Sequence, residues 1–193
     1  MAWHSFDTIV SITQNFMKTL HFLFLCCACG TLTFTSCDDD DNDTNVNLSS
    51  RDQTFMTKAG FNNKAEIVAG AVADSMGMDS TVRMYGNMMV DDHTTAYNEL
   101  AGYANSWNVN IPQQPDSIHM AKTAYLRSLS GHSFDTAYIN AQIKDHIETI
   151  ALFQQEADSS SMTQLKAYAG KYLPKLKMHL QMADSIAAVL NAE

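Results

Sequence analysis

Beyond Cys37 the sequence has no cysteine. Cys26, Cys27, Cys29 and Cys37 lie in or beside one apolar run, "LHFLFLCCACGTLTFTSC" at 20–37. The rest of the chain can therefore hold neither a disulfide nor a thiolate metal site. Three prolines and eight glycines in 193 residues are too few for a loop-rich β protein. Basic residues are also scarce: 12 Lys and Arg stand against 21 Asp and Glu, a net charge of -9. That balance supplies no basic patch for nucleic acid and no basic stripe for anionic lipid. Phosphate-loop, dinucleotide and G-x-S-x-G patterns are missing too, so no nucleotide enzyme or serine hydrolase can be argued.

What is present begins with an address. Met17-Lys18, a short apolar run and small residues make a signal-peptide pattern, with the run ended too soon for a transmembrane span. Residues 1–16 lack a basic start, so Met17 is the expected alternative start. The run closes on Phe34-Thr35-Ser36-Cys37, which resembles a bacterial lipobox, and "CDDDDND" resembles the acidic export tag of surface lipoproteins in the Bacteroides group. The expectation is a signal segment over 1–36, lipidation at Cys37, and anchorage at the outer membrane, exposed at the cell surface. The polar stretch 38–50 cannot bury enough surface to offset its ordering entropy. It reads as a flexible tether spanning roughly 20 Å.

From residue 51 to 193 a helical period dominates. Long helices are expected over about 52–75, 80–106, 134–157 and 161–191, with a shorter one from Asp116 to about Leu129 and a kink or break at Pro174. Two helical hairpins joined by a longer, partly helical connection make an all-α, up-down four-helix bundle. The two hairpin turns are expected at the same end.

Each inner stripe carries one ionisable residue: Glu66, His93, His146 and His179. Buried unpaired polar groups cost several kcal/mol each, so four of them need partners. They can partner one another directly, through water, or through a metal. Helix rise leaves their heights about 7 Å apart in pairs, which allows one cluster of four or two stacked pairs. Three imidazoles and a carboxylate suit Zn, Fe, Mn, Cu or Ni without choosing among them. Asp92 and Asp145 precede two of the histidines and could accept a ligand's second N–H only across a helix interface. Met84 and Met88, with Met178 and Met182 flanking His179, offer soft ligands for Cu(I) or simply pliable core. The Glu-x-x-His motif of di-iron bundles is absent, which ranks redox catalysis last.

The segments "KAEIVAGAVA" (64–73), "VRMYGNMMVDDH" (82–93), "LSGHSFDTAYINAQIKDH" (129–146) and "LPKLKMH" (173–179) resemble a family of bacterial outer-membrane proteins, domain of unknown function 4142. The resemblance covers about 53–190. It implies a ferritin-like bundle in the envelope and no defined activity. Two functions follow as expectations: a lipoprotein binding a transition metal for metal handling or stress protection, or a metal-free structural or interaction lipoprotein.

Overall fold

The computed structural model describes residues 46–192; the expected signal segment, Cys37 and the acidic run lie outside the described residues. Among the described residues every regular element is helical: α1 (Ser50–Met76), α2 (Ser80–Ser106), α3 (Ser117–Arg127), α4 (Gly131–Ser159) and α5 (Thr163–Leu190). None is long and apolar enough to cross a membrane. Three helices start on side-chain caps: Ser49 accepts from Asp52 N, Asp79 from Thr81 N, and Asp116 from His119 N. Such caps satisfy amide donors that the first turn leaves without partners. Helix α5 runs through Pro174, whose ring sits on the exposed face, so the expected break is not there.

The tether is shorter than expected. Leu48 is buried against Phe55, Leu165 and their neighbours, and Ser49 caps α1, so the stretch from Val46 belongs to the domain.

The expectation that both turns share an end is overturned. Asp135, at the start of α4, accepts from Met78 N at 3.0 Å and Asp79 N at 2.8 Å, in the α1–α2 turn. At the other end Asp52, at the start of α1, accepts from Ser160 and Ser161 of the α4–α5 turn. The turns therefore lie at opposite ends, and the connection through α3 spans the length of the bundle. The helices run up, down, down, up, the ferritin-like order with one long crossover. This places α2 and α4 parallel. His93 is thirteen residues after Ser80 and His146 fifteen after Gly131, so both enter the core at the same depth.

Two apolar clusters fill the bundle. Phe55, Ala59, Leu100, Phe153, Leu165 and Tyr168 are in one, and Val72, Tyr85, Met89, Phe134, Tyr138 and Ile139 in the other. Between them lies a polar layer built from the histidines, Asn63, Glu66 and Gln142, all buried. Helices α1 and α2 approach closely at Gly70 and Gly86, where a Cβ on Gly86 would lie 2.7 Å from Gly70 O and 2.8 Å from Ala73 Cβ. Gly86→Ala is expected to cost about 1–3 kcal/mol by overpacking. A denaturant midpoint equal to the parent's would show that the two helices part freely there.

Candidate metal centre

The polar layer brings together three of the four expected ligands. His93 on α2, His146 on α4 and His179 on α5 are each at most 4 % exposed. Their ring centroids lie 5.4–5.8 Å apart, and one nitrogen from each lies within 4.8 Å of the others. Among the described residues this is the one such group of His, Cys, Asp or Glu.

Each ring's proton is assigned by what its outer nitrogen touches. His146 Nδ1 is 2.9 Å from the Gln142 backbone carbonyl, which can only accept. His179 Nε2 is 2.9 Å from the Asp92 carboxylate, which also accepts. His93 Nδ1 is 2.8 Å from Asn63 Oδ1. The Asn63 orientation follows from a relay, because its amide donates to the Tyr168 hydroxyl, which donates to Ala96 O. All three outer nitrogens are therefore donors. In neutral rings the inner nitrogens, His93 Nε2, His146 Nε2 and His179 Nδ1, then carry lone pairs.

Burial keeps the rings neutral. Removal from water pushes His146 and His179 down to about 4, and holds His93 well below its ordinary value with help from the two neighbouring rings. Asp92 is pushed up by burial, but hydrogen bonds from Lys175 and His179 outweigh that and hold it below the usual range. His146 Nε2 and His179 Nδ1 face each other at 3.3 Å with no proton between them, and His93 Nε2 has no hydrogen-bond partner among the described residues. Ligands at 2.0–2.1 Å on a tetrahedral ion stand about 3.3 Å apart. The His146–His179 pair already has that spacing, and one nitrogen of His93 lies within 4.8 Å of a nitrogen of each.

Of the other expected site residues, Asp92 accepts from one of the three histidines, His179, across the α2–α5 interface, whereas Asp145 pairs with Lys122 of α3. Glu66 stands apart from the three rings, neither a fourth member of one cluster nor half of a stacked pair. It accepts from Gln142 Nε2 at 2.7 Å and lines a separate cavity of about 20 Å³ with His119, Lys122 and Asp145. Burial pushes its carboxyl up to about 7. His119 bonds Asp116 and His132 bonds Thr136, so neither joins the cluster. Met84, Met178 and Met182 are exposed on the outside. Sequence reasoning missed Asn63, Gln142 and the relay through Tyr168. Asn63 and Gln142 do have a signal, each standing one helical turn from a buried ionisable group.

A family profile described as domain of unknown function DUF4142 matches residues 39–186. The chain belongs to the DUF4142 family. The description of that family names no compartment and no activity. A crystal structure of a DUF305 fragment from Deinococcus radiodurans is similar to this DUF4142 domain in fold, with a TM-score of 0.65 and 12% identity, over 76% of this chain and 99% of that one. No curated protein matches.

Proposed function

We propose that this DUF4142 domain binds one transition-metal ion through His93 Nε2, His146 Nε2 and His179 Nδ1, and serves metal handling or stress protection in the bacterial envelope. The observation that carries it is the convergence of three lone pairs whose tautomers are set from outside by Asn63, Gln142 and Asp92. Metal-binding histidines are oriented in this way by outer acceptors. A metal-free polar layer that only specifies the fold would leave two lone pairs facing each other at 3.3 Å.

With Glu66 outside the set, the donors are three neutral imidazoles. That favours Cu, Zn, Fe or Ni over Mn, which prefers oxygen. Protein purified without chelator should carry close to one such ion per chain, and His146→Ala and His179→Ala should fall to trace. Wild type with no metal above trace, and no uptake on titration, would sink the reading.

The envelope part of the proposal rests on the lipobox-like Phe34-Thr35-Ser36-Cys37 and the acidic run after it. Cys37→Ala should move the protein from the membrane fraction to the soluble one. Retention in the membrane would remove the anchor from the picture.

A further inference from the structure

The end of the bundle away from the α1–α2 turn holds a second buried polar group, separate from the histidines. Asp52 on the first turn of α1 is fully buried, and Glu156 on the last turn of α4 is 1 % exposed. Their carboxyls hydrogen-bond each other, side chain to side chain. Ionised carboxylates only accept, so a bond between two of them needs a proton on one.

The surroundings decide which one carries it. Asp52 Oδ1 accepts from Ser160 Oγ at 2.9 Å, and Oδ2 from Ser49 Oγ at 2.7 Å and Ser161 Oγ at 3.2 Å. Three hydroxyl donors favour the ionised form there. Glu156 Oε1 is buried and has no hydrogen-bond partner among the described residues. That setting favours the neutral form, so the proton is on Glu156 and is donated to Asp52. Titration runs the same way. Burial raises Asp52, but hydrogen bonds from Ser49, Ser160, Glu156 and Ser161 outweigh it and hold Asp52 below the ordinary carboxylate range. Burial pushes Glu156 up to about 7; the Ser160 hydroxyl opposes this, and the bond to Asp52 and its charge add to it.

Few other charges bear on the pair. Arg51, which also donates to Ser159 O, favours ionised Glu156, and Lys58 lines the same cavity as Glu156. On α4 Asp158 is exposed and accepts from Gln154. The chain before α1 (46–49), the end of α2 (100–107), and the α4–α5 turn with the start of α5 (160–165) contain no Asp, Glu, Lys, Arg or His. The cavity, about 340 Å³, gives the Glu156 proton a route to solvent.

The pair sits where the chain enters the bundle. Leu48 is buried just before α1, Ser49 caps it, and Asp52 ties its first turn to Ser160 and Ser161. Once Glu156 loses its proton, two negative charges face each other away from water. Parting the first turn of α1 from the α4–α5 turn lets both be hydrated. We propose that Glu156 and Asp52 form a proton-held clasp, which fastens the start of α1 to the α4–α5 turn while the proton is present and releases the entering chain when the proton leaves. The clasp does not depend on the metal-centre reading.

Hydrogen–deuterium exchange of the full chain at about pH 6 and about pH 8.5, corrected for the intrinsic pH dependence of amide exchange, reads the opening of 50–56 and 159–163. A carboxyl at about 7 in the closed clasp and 4.5 in the open one gives a roughly tenfold rise in opening between those pH values. Glu156→Gln, whose amide donates to Asp52 at every pH, should abolish the rise. Glu66→Gln, which removes the other raised carboxyl, should keep it. A flat wild-type profile, or the same rise in Glu156→Gln, would overturn the clasp. Carboxyl carbon NMR shifts give a second readout, with Glu156 titrating at about 7 and Asp52 ionised throughout. Titration of Glu156 in the ordinary range would overturn the shared proton.

Discussion

Zn(II) at about a hundred times its dissociation constant should raise the thermal unfolding midpoint by roughly 8–10 °C. Ligand bound only to the folded state adds about 2.7 kcal/mol at that ratio, and each kcal/mol is worth about 3–4 °C in a domain near 150 residues. The folded state is the one that binds, because the three donors come from α2, α4 and α5 and meet only when those helices pack. His146→Ala should abolish the shift. His93→Leu is informative in a second way. It removes Nε2, which has no partner, but it also strips Asn63 Oδ1 of its donor. Without metal these changes oppose each other, so its stability should stay within about 1–2 kcal/mol of wild type, while the Zn(II) response disappears. A wild-type midpoint that ignores Zn(II), Cu(II) and Ni(II) alike would dispose of the centre.

The metal-free protein should lose stability steeply as pH falls from about 6.5 toward 4. The folded state holds His146 and His179 at about 4 against an ordinary 6.5. A depressed histidine binds its proton less readily folded than unfolded. Its contribution is thus whole above 6.5 and is lost as pH drops through the window down to 4. For His146 alone the loss is on the order of 3 kcal/mol. Glu66 has the opposite sign, with its folded carboxyl raised from 4.5 to about 7. Its contribution is whole below 4.5 and is lost as pH rises through 7. Glu66→Gln should therefore be more stable than wild type at pH 8, by on the order of 2–3 kcal/mol, and little different at pH 4.5. Denaturant unfolding at three pH values tests both slopes. A flat acid limb would show that the rings are solvated, and an unchanged Glu66→Gln at pH 8 would show that Glu66 is.

Most of the fold was legible because the apolar stripes keep a helical period and the breaks carry caps. The stripe expected on α2, with Val82, Tyr85, Met89, His93, Ala96 and Leu100, is buried throughout. The histidines were legible for the same reason, since each interrupts such a stripe. Depth was not legible. Residue counts from the turns gave the wrong stagger while both turns were placed at one end, and Asp135 and Asp52 settle that only through bonds to residues far along the chain. Glu66 shares a stripe with Ala59 and Ala73, yet α3 and Gln142 claim it, and no period in α1 announces that. Asp145 was misjudged likewise, because its partner Lys122 sits in the connection, where the sequence has least regularity.

The two hairpins, α1–α2 and α4–α5, are each local in sequence, and contacts of that kind form early in folding. His93 belongs to the first, His146 and His179 to the second. An ion held by all three would be a clasp between halves that dock last. Such a late contact slows escape from the native state more than it speeds arrival. The metal would then act chiefly on lifetime: a loaded domain would refold at nearly the rate of the bare one, but open far less often.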